Sequence, residues 1–331
     1  MDPLYASTPR ASASFALPHE PGVSLYYEQR GEPSARAKVV LLMGSLATLK
    51  HFDELADRLA AGCTAEVLTF DYRGIGRSTA SPRTRLRSQS SGELAQDALA
   101  LLEHVGGGGG AGGGGGGGGA AHVHVYGASM GGMVAQRLAL LLLRGGSGAA
   151  PRLALRSLTL AVTASSYGLA RFVPLGARFY RRVLPLALPA DPGAMVASLL
   201  PKVFSAAFLD APHPAAAPRR SMRELFQERW TREYAQWFSF ANLDATASQC
   251  TVAATHLLTA AEAGELRQSR VPTLVAVAEQ DELIAPAAQR ALAALLGAEV
   301  HQGKGGHMGS AQEFAALCER IAAHVVAAER R

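Results

Sequence analysis

Short apolar stretches recur along this chain and alternate with longer stretches whose apolar residues follow a helical period. Several short stretches are apolar on both faces, as are the strands of a sheet that helices cover on each side. The predicted strands are 24–29, 38–43, 65–70, 122–126, 157–163, 273–279 and 298–301. The predicted helices are 52–61, closed by Gly62, 92–105, opened by the capping pair Ser90 and Glu93, 133–144 and 286–296. This alternation predicts an α/β fold with a mostly parallel central sheet flanked by helices.

The alternation stops between about residues 165 and 250, where prolines divide the chain into short helical stretches. This part holds Phe172, Phe179, Phe204, Phe208, Phe226, Trp230, Trp237, Phe238 and Phe240. An aromatic-rich helical insertion between two strands predicts a cap over the carboxyl edge of the sheet. The alternative is that these side chains form only the insertion's own core. The expected domains are a disordered segment 1–20, a core of 21–164 and 251–331, and a helical cap of 165–250.

Residues 106–119 are glycine except for Ala111. This tract matches the G-x-G-x-x-G pattern of phosphate loops, but it precedes a predicted strand instead of opening a helix, which argues against a nucleotide site. We expect a flexible insertion at the edge of the sheet opposite to the one where ligands of open α/β sheets bind. The sequence therefore predicts no cofactor.

Composition argues against several classes of function. The 331 residues carry a net charge of +5, but the arginines are scattered, which does not predict nucleic-acid binding. The longest aliphatic run, 138–143, is far shorter than the roughly 20 residues of a membrane helix, so no stable membrane insertion is expected. Cys63, Cys250 and Cys318 lack metal or disulfide spacing, which is typical of a reducing compartment. We expect a small-molecule substrate and a cytoplasmic protein, with a chloroplast or mitochondrial location as the alternative.

The sequence VHVYGASMGGM, residues 123–133, joins an apolar strand to a serine between glycines. In a nucleophile elbow, a strand ends in a turn so sharp that only small residues fit beside the serine, and a helix follows. Residues 122–126, 127–132 and 133–144 supply these parts in order around Ser129. Because the chain holds 35 glycines, such a match also arises by chance, and its surroundings must decide.

Two downstream residues fit the base and the acid that a nucleophilic serine needs. Asp281 follows the predicted strand 273–279, and His307 follows the last predicted strand among glycines. The order Ser129, Asp281, His307 is that of α/β-hydrolases and differs from the chymotrypsin and subtilisin orders. The alternatives are a structural serine, a surface histidine, and Asp281 as a helix N-cap with Glu279 as the substitute acid.

Two further turns contain glycine. Residues 41–48, LLMGSLAT, end a predicted strand in a turn whose backbone N–H groups are candidate donors to an oxyanion. Residues 71–78, DYRGIGRS, form a tight turn beside that candidate oxyanion site. Together these segments resemble the α/β-hydrolase superfamily over residues 23–326. The matching residues are Met43-Gly44-Ser45, Asp71, Arg73, Gly74, Gly76, Ser78, Gly127, Ser129-Met130-Gly131-Gly132, Asp281 and Gly306-His307. Within this superfamily, the chain looks most like capped plant and algal hydrolases that are labelled, by similarity, as carbon–carbon bond hydrolases.

This resemblance implies roles for individual residues. It implies that Ser129 is the nucleophile, His307 the base and Asp281 the orienting acid. It also implies that the backbone N–H groups of Ser45 and Met130 are the oxyanion donors. Members often have histidine where this chain has Met43 and Ala128, two positions that shape the pocket. Asp71 and Arg73 are interpreted as scaffold, in an ion pair and turn caps.

His122 and His124 point the same way on a predicted strand, as a pair of metal ligands would. No acidic or cysteine partner lies nearby in the sequence, so core packing is favoured and no metal is predicted.

The motifs predict a serine hydrolase that transfers an acyl group from an ester or thioester of a small apolar substrate, or cleaves a carbon–carbon bond with the same residues. Epoxide hydrolase and dehalogenase chemistry is disfavoured because both need a carboxylate in place of Ser129. One alternative class is a non-catalytic or slow-turnover receptor that binds a ligand on the same fold. A weaker alternative is a lipase whose basic face meets anionic lipid.

Overall fold

The computed structural model describes residues 2–45, 47–81, 88–106, 120–145, 153–166, 191–216, 219–237, 243–308 and 313–331. In these ranges one sheet contains β1 (Ala11–Ala16), β2 (Ser24–Gly31), β3 (Ala37–Leu42), β4 (Glu66–Phe70), β5 (Ala121–Ala128), β6 (Leu153–Ala161), β7 (Thr273–Ala278) and β8 (Glu299–Gly303). The order across the sheet is β1-β2-β4-β3-β5-β6-β7-β8. The pairs β1–β2 and β2–β4 are antiparallel and the others parallel, which confirms the predicted α/β architecture.

Helices pack against this sheet and against one another. The described helices are α1 (Asp53–Cys63), α2 (Ser91–Gly106), α3 (Met130–Leu143), α4 (Pro192–Val203), α5 (Ala206–Asp210), α6 (Met222–Trp237), α7 (Leu243–Thr255), α8 (Ala260–Gln268), α9 (Pro286–Leu296) and α10 (Phe314–Glu329). Helix α1 contacts α10, and α2 contacts α3, which also contacts β5 and β6. Strands β3, β4 and β5 are buried along nearly their whole length, which explains their continuous apolar sequences.

Local sequence sets the ends of several helices. At the start of α2, the Ser90 hydroxyl accepts the N–H of Glu93 at 3.2 Å and the Glu93 carboxylate accepts the N–H of Ser90 at 2.8 Å, so the predicted capping pair is confirmed. Helix α1, in contrast, continues through Gly62. The prediction that Gly62 closes it is wrong, because the left-handed residue that ends the helix is Thr64, with a φ of 48°.

The N-terminal segment differs from the expectation of disorder over residues 1–20. Ala11–Ala16 forms β1, which pairs antiparallel with β2 from Ala11–Gln29 to Ala16–Ser24. The side chains of β1 are mostly exposed, so its sequence lacks the apolar pattern that marks the other strands. The expectation is wrong for this strand, because backbone hydrogen bonds to β2 hold it in the sheet.

The apolar side chains form two cores. The larger core lies between the sheet and the helices around it. The smaller core belongs to the helical insert, which we define as the described part of residues 191–237, with α4, α5 and α6. Its buried members are Met195, Val196, Leu199, Leu200, Val203, Phe204, Leu209, Met222, Phe226, Trp230 and Tyr234. Phe172, Phe179, Phe238, Phe240, the side chain of Trp237 and the glycine tract 107–119 lie outside the described residues.

The paired histidines of β5 meet an acidic partner that lies far away in the sequence. The Glu329 carboxylate of α10 accepts hydrogen bonds from Nδ1 of His122 at 2.8 Å and Nε2 of His124 at 3.0 Å. The Ser157 hydroxyl of β6 lies 2.8 Å from Nδ1 of His124. Within the described residues, no cluster of three or more histidine, cysteine or acidic side chains can hold a metal ion. The histidines therefore attach α10 to the sheet.

Two cysteines are described, and both are free thiols. Cys318 is buried and Cys63 half-buried. Burial raises the pKa of Cys63 to about 11 and that of Cys318 to about 12, so both thiols are protonated at neutral pH. None of the described helices combines the length and apolar character that a bilayer crossing requires.

Candidate active site

Ser129 occupies a sharp turn between the end of β5 and the start of α3. Its φ of 56° and ψ of −123° lie in a region that residues with a side chain rarely adopt. The serine N–H donates to the carbonyl of Ala161 at 2.9 Å, and the serine carbonyl accepts the hydroxyl of Thr163 at 2.7 Å. The end of β6 thus holds the serine in its strained conformation.

The glycines beside Ser129 are required by close backbone approach. A Cβ on Gly127 would overlap the carbonyl oxygen of Gly131, and a Cβ on Gly131 would overlap the carbonyl oxygens of Leu42 and Met43. Gly131 therefore fits against the end of β3, and Gly127 against the start of α3, only because neither carries a side chain. Chance occurrence in a glycine-rich chain does not account for this motif.

The structure brings the three predicted triad side chains together. Nε2 of His307 lies 2.9 Å from the hydroxyl of Ser129, and Nδ1 lies 2.8 Å from Oδ2 of Asp281. Asp281 and His307 are buried at 5% and 9% exposure, and Ser129 is half-buried. Serine, imidazole and carboxylate thus form a continuous hydrogen-bonded chain, in which the imidazole can take the serine proton while the carboxylate fixes its orientation.

Four donors surround the Asp281 carboxylate. Oδ1 accepts the N–H groups of Leu283 and Ile284 at 2.8 and 2.9 Å. Oδ2 accepts Nε2–H of Gln289 at 2.8 Å, in addition to the bond from His307. Gln289 is fully buried, and its amide oxygen accepts the N–H of Ala278, the last residue of β7, at 3.0 Å. The side chain of Gln289 thus ties the carboxylate to the end of the sheet.

The alternative roles of Asp281 and Glu279 are not those found. Helix α9 begins after Ala285, which supplies no side-chain cap, so Asp281 is not its N-cap. Instead, Asp281 binds the N–H groups of the turn before α9 and His307 with the same carboxylate. The Glu279 side chain is 45% exposed and lies 3.9 Å from Arg290, so the substitute acid faces outward.

The loop after β3 passes close to the candidate nucleophile. A Cβ on Gly44 would lie 3.2 Å from Cβ of Ser129, so the glycine allows the close approach. Ser45 and Met130 both line the cavity around Ser129. Met130 is the first residue of α3, where N–H groups have no partner within the helix. The two N–H groups named from the sequence thus belong to segments that flank the serine.

Asp71 and Arg73 brace this loop and the turn beside it. Oδ1 of Asp71 accepts the N–H of Leu49 at 2.8 Å, and Oδ2 accepts the N–H of Arg77 at 2.9 Å. Burial raises the pKa of Asp71 to about 6, although these hydrogen bonds act in the opposite direction. Arg73 pairs with Asp97 of α2 through Nε at 2.6 Å. Asp71 is therefore a turn cap and Arg73 an ion-pair partner, which agrees with the scaffold role indicated by the sequence.

A cavity of about 160 Å³ opens at Ser129 and His307. Most of its wall is apolar, and both the sheet and the helical insert contribute to it. The insert supplies Leu199, Val203, Trp230 and Tyr234. Ala128 lines the cavity as expected, whereas Met43 is fully buried in the larger core and does not belong to the described wall. The expectation that Met43 shapes the pocket is therefore wrong for the described wall, because its side chain is buried in the larger core.

Sequence reasoning missed two residues at this site, Gln289 and His51. Gln289 lies eight positions after Asp281 on a helix that the sequence presents as an ordinary amphipathic one. His51 lies in a short 3-10 helix, Leu49–Phe52, and lines the cavity. Neither residue belongs to a motif, and only the fold brings them to the site.

Comparison with known proteins agrees with this geometry. The sheet order, the serine elbow and the flanking helices define an α/β-hydrolase. The family model described as serine aminopeptidase, S33, matches residues 33–308, which is most of the chain. The chain therefore belongs to this family of hydrolases.

Three solved structures illustrate the fold. A hydrolase from Pseudomonas aeruginosa is 21% identical, with a TM-score of 0.69 over 96% of this chain and 98% of the other. The enol-lactonase from Burkholderia xenovorans is 20% identical, with a TM-score of 0.66 over 95% and 99%. An esterase from Exiguobacterium antarcticum is 17% identical, with a TM-score of 0.69 over 95% and 99%. At these identities, the likeness establishes the shared fold.

Proposed function

We propose that this hydrolase acts by acyl transfer on an ester or thioester of a small apolar substrate, with Ser129 as nucleophile, His307 as base and Asp281 as orienting acid. The observation that carries the proposal is the continuous hydrogen-bonded chain from the Ser129 hydroxyl through His307 to Asp281, at 2.9 and 2.8 Å. The strained backbone of Ser129 and the cavity beside it support the same assignment.

The reaction has two steps that share one base. His307 takes the proton of Ser129 as the serine oxygen attacks the carbonyl carbon, and the N–H groups of Ser45 and Met130 stabilise the oxyanion. His307 then gives the proton to the leaving alcohol or thiol, and an acyl-serine remains. In the second step His307 takes a proton from water, the hydroxide attacks the acyl carbon, and the proton returns to the serine oxygen as the acid is released.

The apolar wall of the cavity supports a substrate with an apolar acyl or alcohol part. We further propose that residues 165–250 act as a cap, since α4 and α6 of the helical insert supply part of this wall. A diketone whose carbon–carbon bond is hydrolysed is a second candidate substrate, because the same residues can cleave that bond with carbon as the leaving group. Parallel assays with an ester and a β-diketone distinguish the two substrates.

The decisive experiment measures hydrolysis of p-nitrophenyl esters of graded chain length by the wild type and by Ser129→Ala. We expect a chain-length optimum in kcat/KM for the wild type and a loss of at least about 10⁴-fold in the variant, because no other group supplies the nucleophile. Ser34→Ala, at an exposed serine, is the matched control and should retain wild-type rates. Equal rates for wild type and Ser129→Ala would remove the assignment.

A fluorophosphonate probe tests the alternative of a receptor. An activated serine reacts with the probe, and peptide mapping of the adduct should identify Ser129. An unmodified Ser129, together with no turnover of any ester, would favour a ligand-binding protein over an enzyme.

A further inference from the structure

The cavity at Ser129 extends into the space between the sheet and the helices α1 and α10. We call this part the inner pocket; its lining residues are Phe52, Leu55, Tyr126, Ala128, Ala161, Ala276, Phe314 and Leu317. The three alanines lie side by side on β5, β6 and β7, so only methyl groups cover this part of the sheet. Phe314 and Leu317 come from α10, which packs against β6. The inner pocket is therefore suited to an unbranched apolar chain.

Tyr126 is the single polar side chain among the inner-pocket residues. It is 4% exposed, and its ring meets the ring of Phe52 edge-on with centroids 5.6 Å apart. Burial raises the pKa of Tyr126, and the thiol of Cys318 acts in the same direction. The phenol therefore keeps its proton at neutral pH and is available as a hydrogen-bond donor.

Within the described ranges, no residue donates to the hydroxyl of Tyr126 or accepts its proton. The hydroxyl of Tyr72 is also unpaired, but it is buried out of reach of solvent. The hydroxyl of Tyr126 is not closed off in this way, and its side chain borders the cavity. A donor without a partner in apolar surroundings is costly, so the inner pocket favours a molecule that supplies an acceptor.

We propose that the Tyr126 hydroxyl forms an inner subsite for a neutral oxygen acceptor, a keto or ether oxygen, in the acyl chain of the substrate. The O–H of Tyr126 donates to this oxygen, and the chain on either side of it contacts the apolar wall. A hydroxyl group suits the subsite less, because two hydroxyl groups bring two protons and only one can lie between the two oxygens. The proposal rests on the proposed function, since it names a polar group of the ester that Ser129 cleaves.

The place of Tyr126 in β5 sets where this oxygen lies along the chain. Tyr126 precedes Ser129 by three residues, and a strand rises about 3.3 Å per residue, so their backbones lie about 10 Å apart. Ala128 lies between them, on the same face of the strand as Tyr126. The acceptor oxygen is therefore several carbons away from the scissile carbonyl and not next to it.

The test compares esters that differ only in one keto group. p-Nitrophenyl alkanoates are paired with oxoalkanoates of equal length, with the keto group moved outward along the chain, and the keto preference is the ratio of the two kcat/KM values. For the wild type we expect a preference of about tenfold at one distal position, because a plain alkyl chain leaves the phenol unpaired. Tyr126→Phe, which removes only the oxygen, should reduce this preference towards one.

Tyr72→Phe is the matched control, because it removes another unpaired buried hydroxyl that does not border the cavity. It should keep the wild-type keto preference. A preference near one at every position in the wild type, or a full preference in Tyr126→Phe, would overturn the subsite.

Ala276→Val tests the inner pocket independently, because the added methyl groups on β7 narrow it. kcat/KM should fall about tenfold more for the preferred oxo ester than for the acetate ester, which is too short to reach Tyr126. Equal falls for the two esters would mean that the acyl chain does not enter the inner pocket.

The subsite and the proposed function fail in different ways. If esters are hydrolysed in a Ser129-dependent manner without a keto preference, only the subsite is wrong. If no ester is hydrolysed, the proposed function fails, and the subsite is then decided by binding alone. Calorimetry on Ser129→Ala with a methyl ketone and a diketone of equal length should show tighter binding of the diketone, and equal affinities would refute it.

Discussion

Gln289 links the candidate acid to the end of the sheet through its side chain. It donates to Oδ2 of Asp281, the same oxygen that binds His307, while its own amide oxygen is fixed by the N–H of Ala278. A second N–H bond, to the carbonyl of Ile284 at 2.7 Å, leaves the amide no freedom to rotate. Gln289 touches no substrate, so we regard it as a positioning residue.

Replacing Gln289 by methionine should lower the rate. Without the amide donor, the Asp281 carboxylate loses one of its four hydrogen bonds and holds the His307 imidazole less firmly in the orientation that reaches Ser129. We expect kcat to fall about tenfold with little change in KM.

Gln302→Met, at an exposed glutamine of β8, is the control for Gln289→Met. A lower melting temperature with an unchanged kcat would mean that Gln289 serves only stability.

The sequence was sufficient to predict the residues of the candidate triad and not those that support them. Ser129, Asp281 and His307 each follow a strand in a recognisable turn, so local pattern and chain order reveal them. Gln289 and His51 lie on helical segments whose periodicity fits simple packing. Their roles depend on distances between elements, which a single sequence does not contain.

At the scale of elements, the apolar central strands could be predicted from the sequence, whereas the edge strand and the long-range side-chain pairs could not. The predicted bounds of β3, β4, β5 and β7 lie within about two residues of the observed ones, whereas β6 begins at Leu153, before its predicted start at Ser157. Strand β1 reads ASASFA, because an edge strand with exposed side chains needs no apolar pattern. The acidic partner of His122 and His124 lies at Glu329, about 200 residues further along the chain. Pairing of this kind follows from the fold and not from local sequence.

The attachment of α10 to β5 through His124 should make stability depend on pH. Burial lowers the pKa of His124 to about 4, although Glu329 acts against this shift. The unfolded chain binds a proton near pH 6.5 that the folded protein does not bind until about pH 4, so the free energy of unfolding should fall as pH decreases across this window.

The charged and titratable groups near His124 are His122 and Arg156 on the strands and His324 and Glu329 on α10. Urea denaturation at pH 7 and pH 4 measures how much unfolding free energy each protein loses between these two pH values. We expect this loss to be about 3 kcal/mol larger for the wild type than for His124→Gln. Identical losses in the two proteins would exclude this origin.

At the scale of the whole molecule, residues 2–5 connect the helical insert to the core. Oδ1 of Asp2 lies 3.0 Å from Nε2 of His213, and Arg229 donates to the Asp2 carbonyl at 3.2 Å, both on the insert side. On the core side, the Asp2 N–H donates to Glu54 of α1 at 2.7 Å and the Tyr5 hydroxyl donates to Asp57 at 3.0 Å. The segment thus bridges two parts of the chain that contact the cavity.

Replacing residues 2–5 by Gly-Ser-Gly-Ser should loosen the helical insert without unfolding the core. We expect faster proteolysis within the insert and a higher KM for apolar esters, because the insert supplies part of the cavity wall. Leu4→Ser, at a half-exposed side chain that makes no bridge, is the control. Unchanged proteolysis would show that the insert is held by its other contacts.

The loop of His307 is joined directly to the helical insert: the N–H of Met308 donates to the carbonyl of Val203, the last residue of α4, at 2.8 Å, and Gly306 packs against the same carbonyl. A change in the position of α4 is therefore transmitted directly to the loop of His307. Under the proposed mechanism, an engineer who remodels α4 to admit larger molecules also shifts the imidazole, so that substrate selectivity and turnover are coupled.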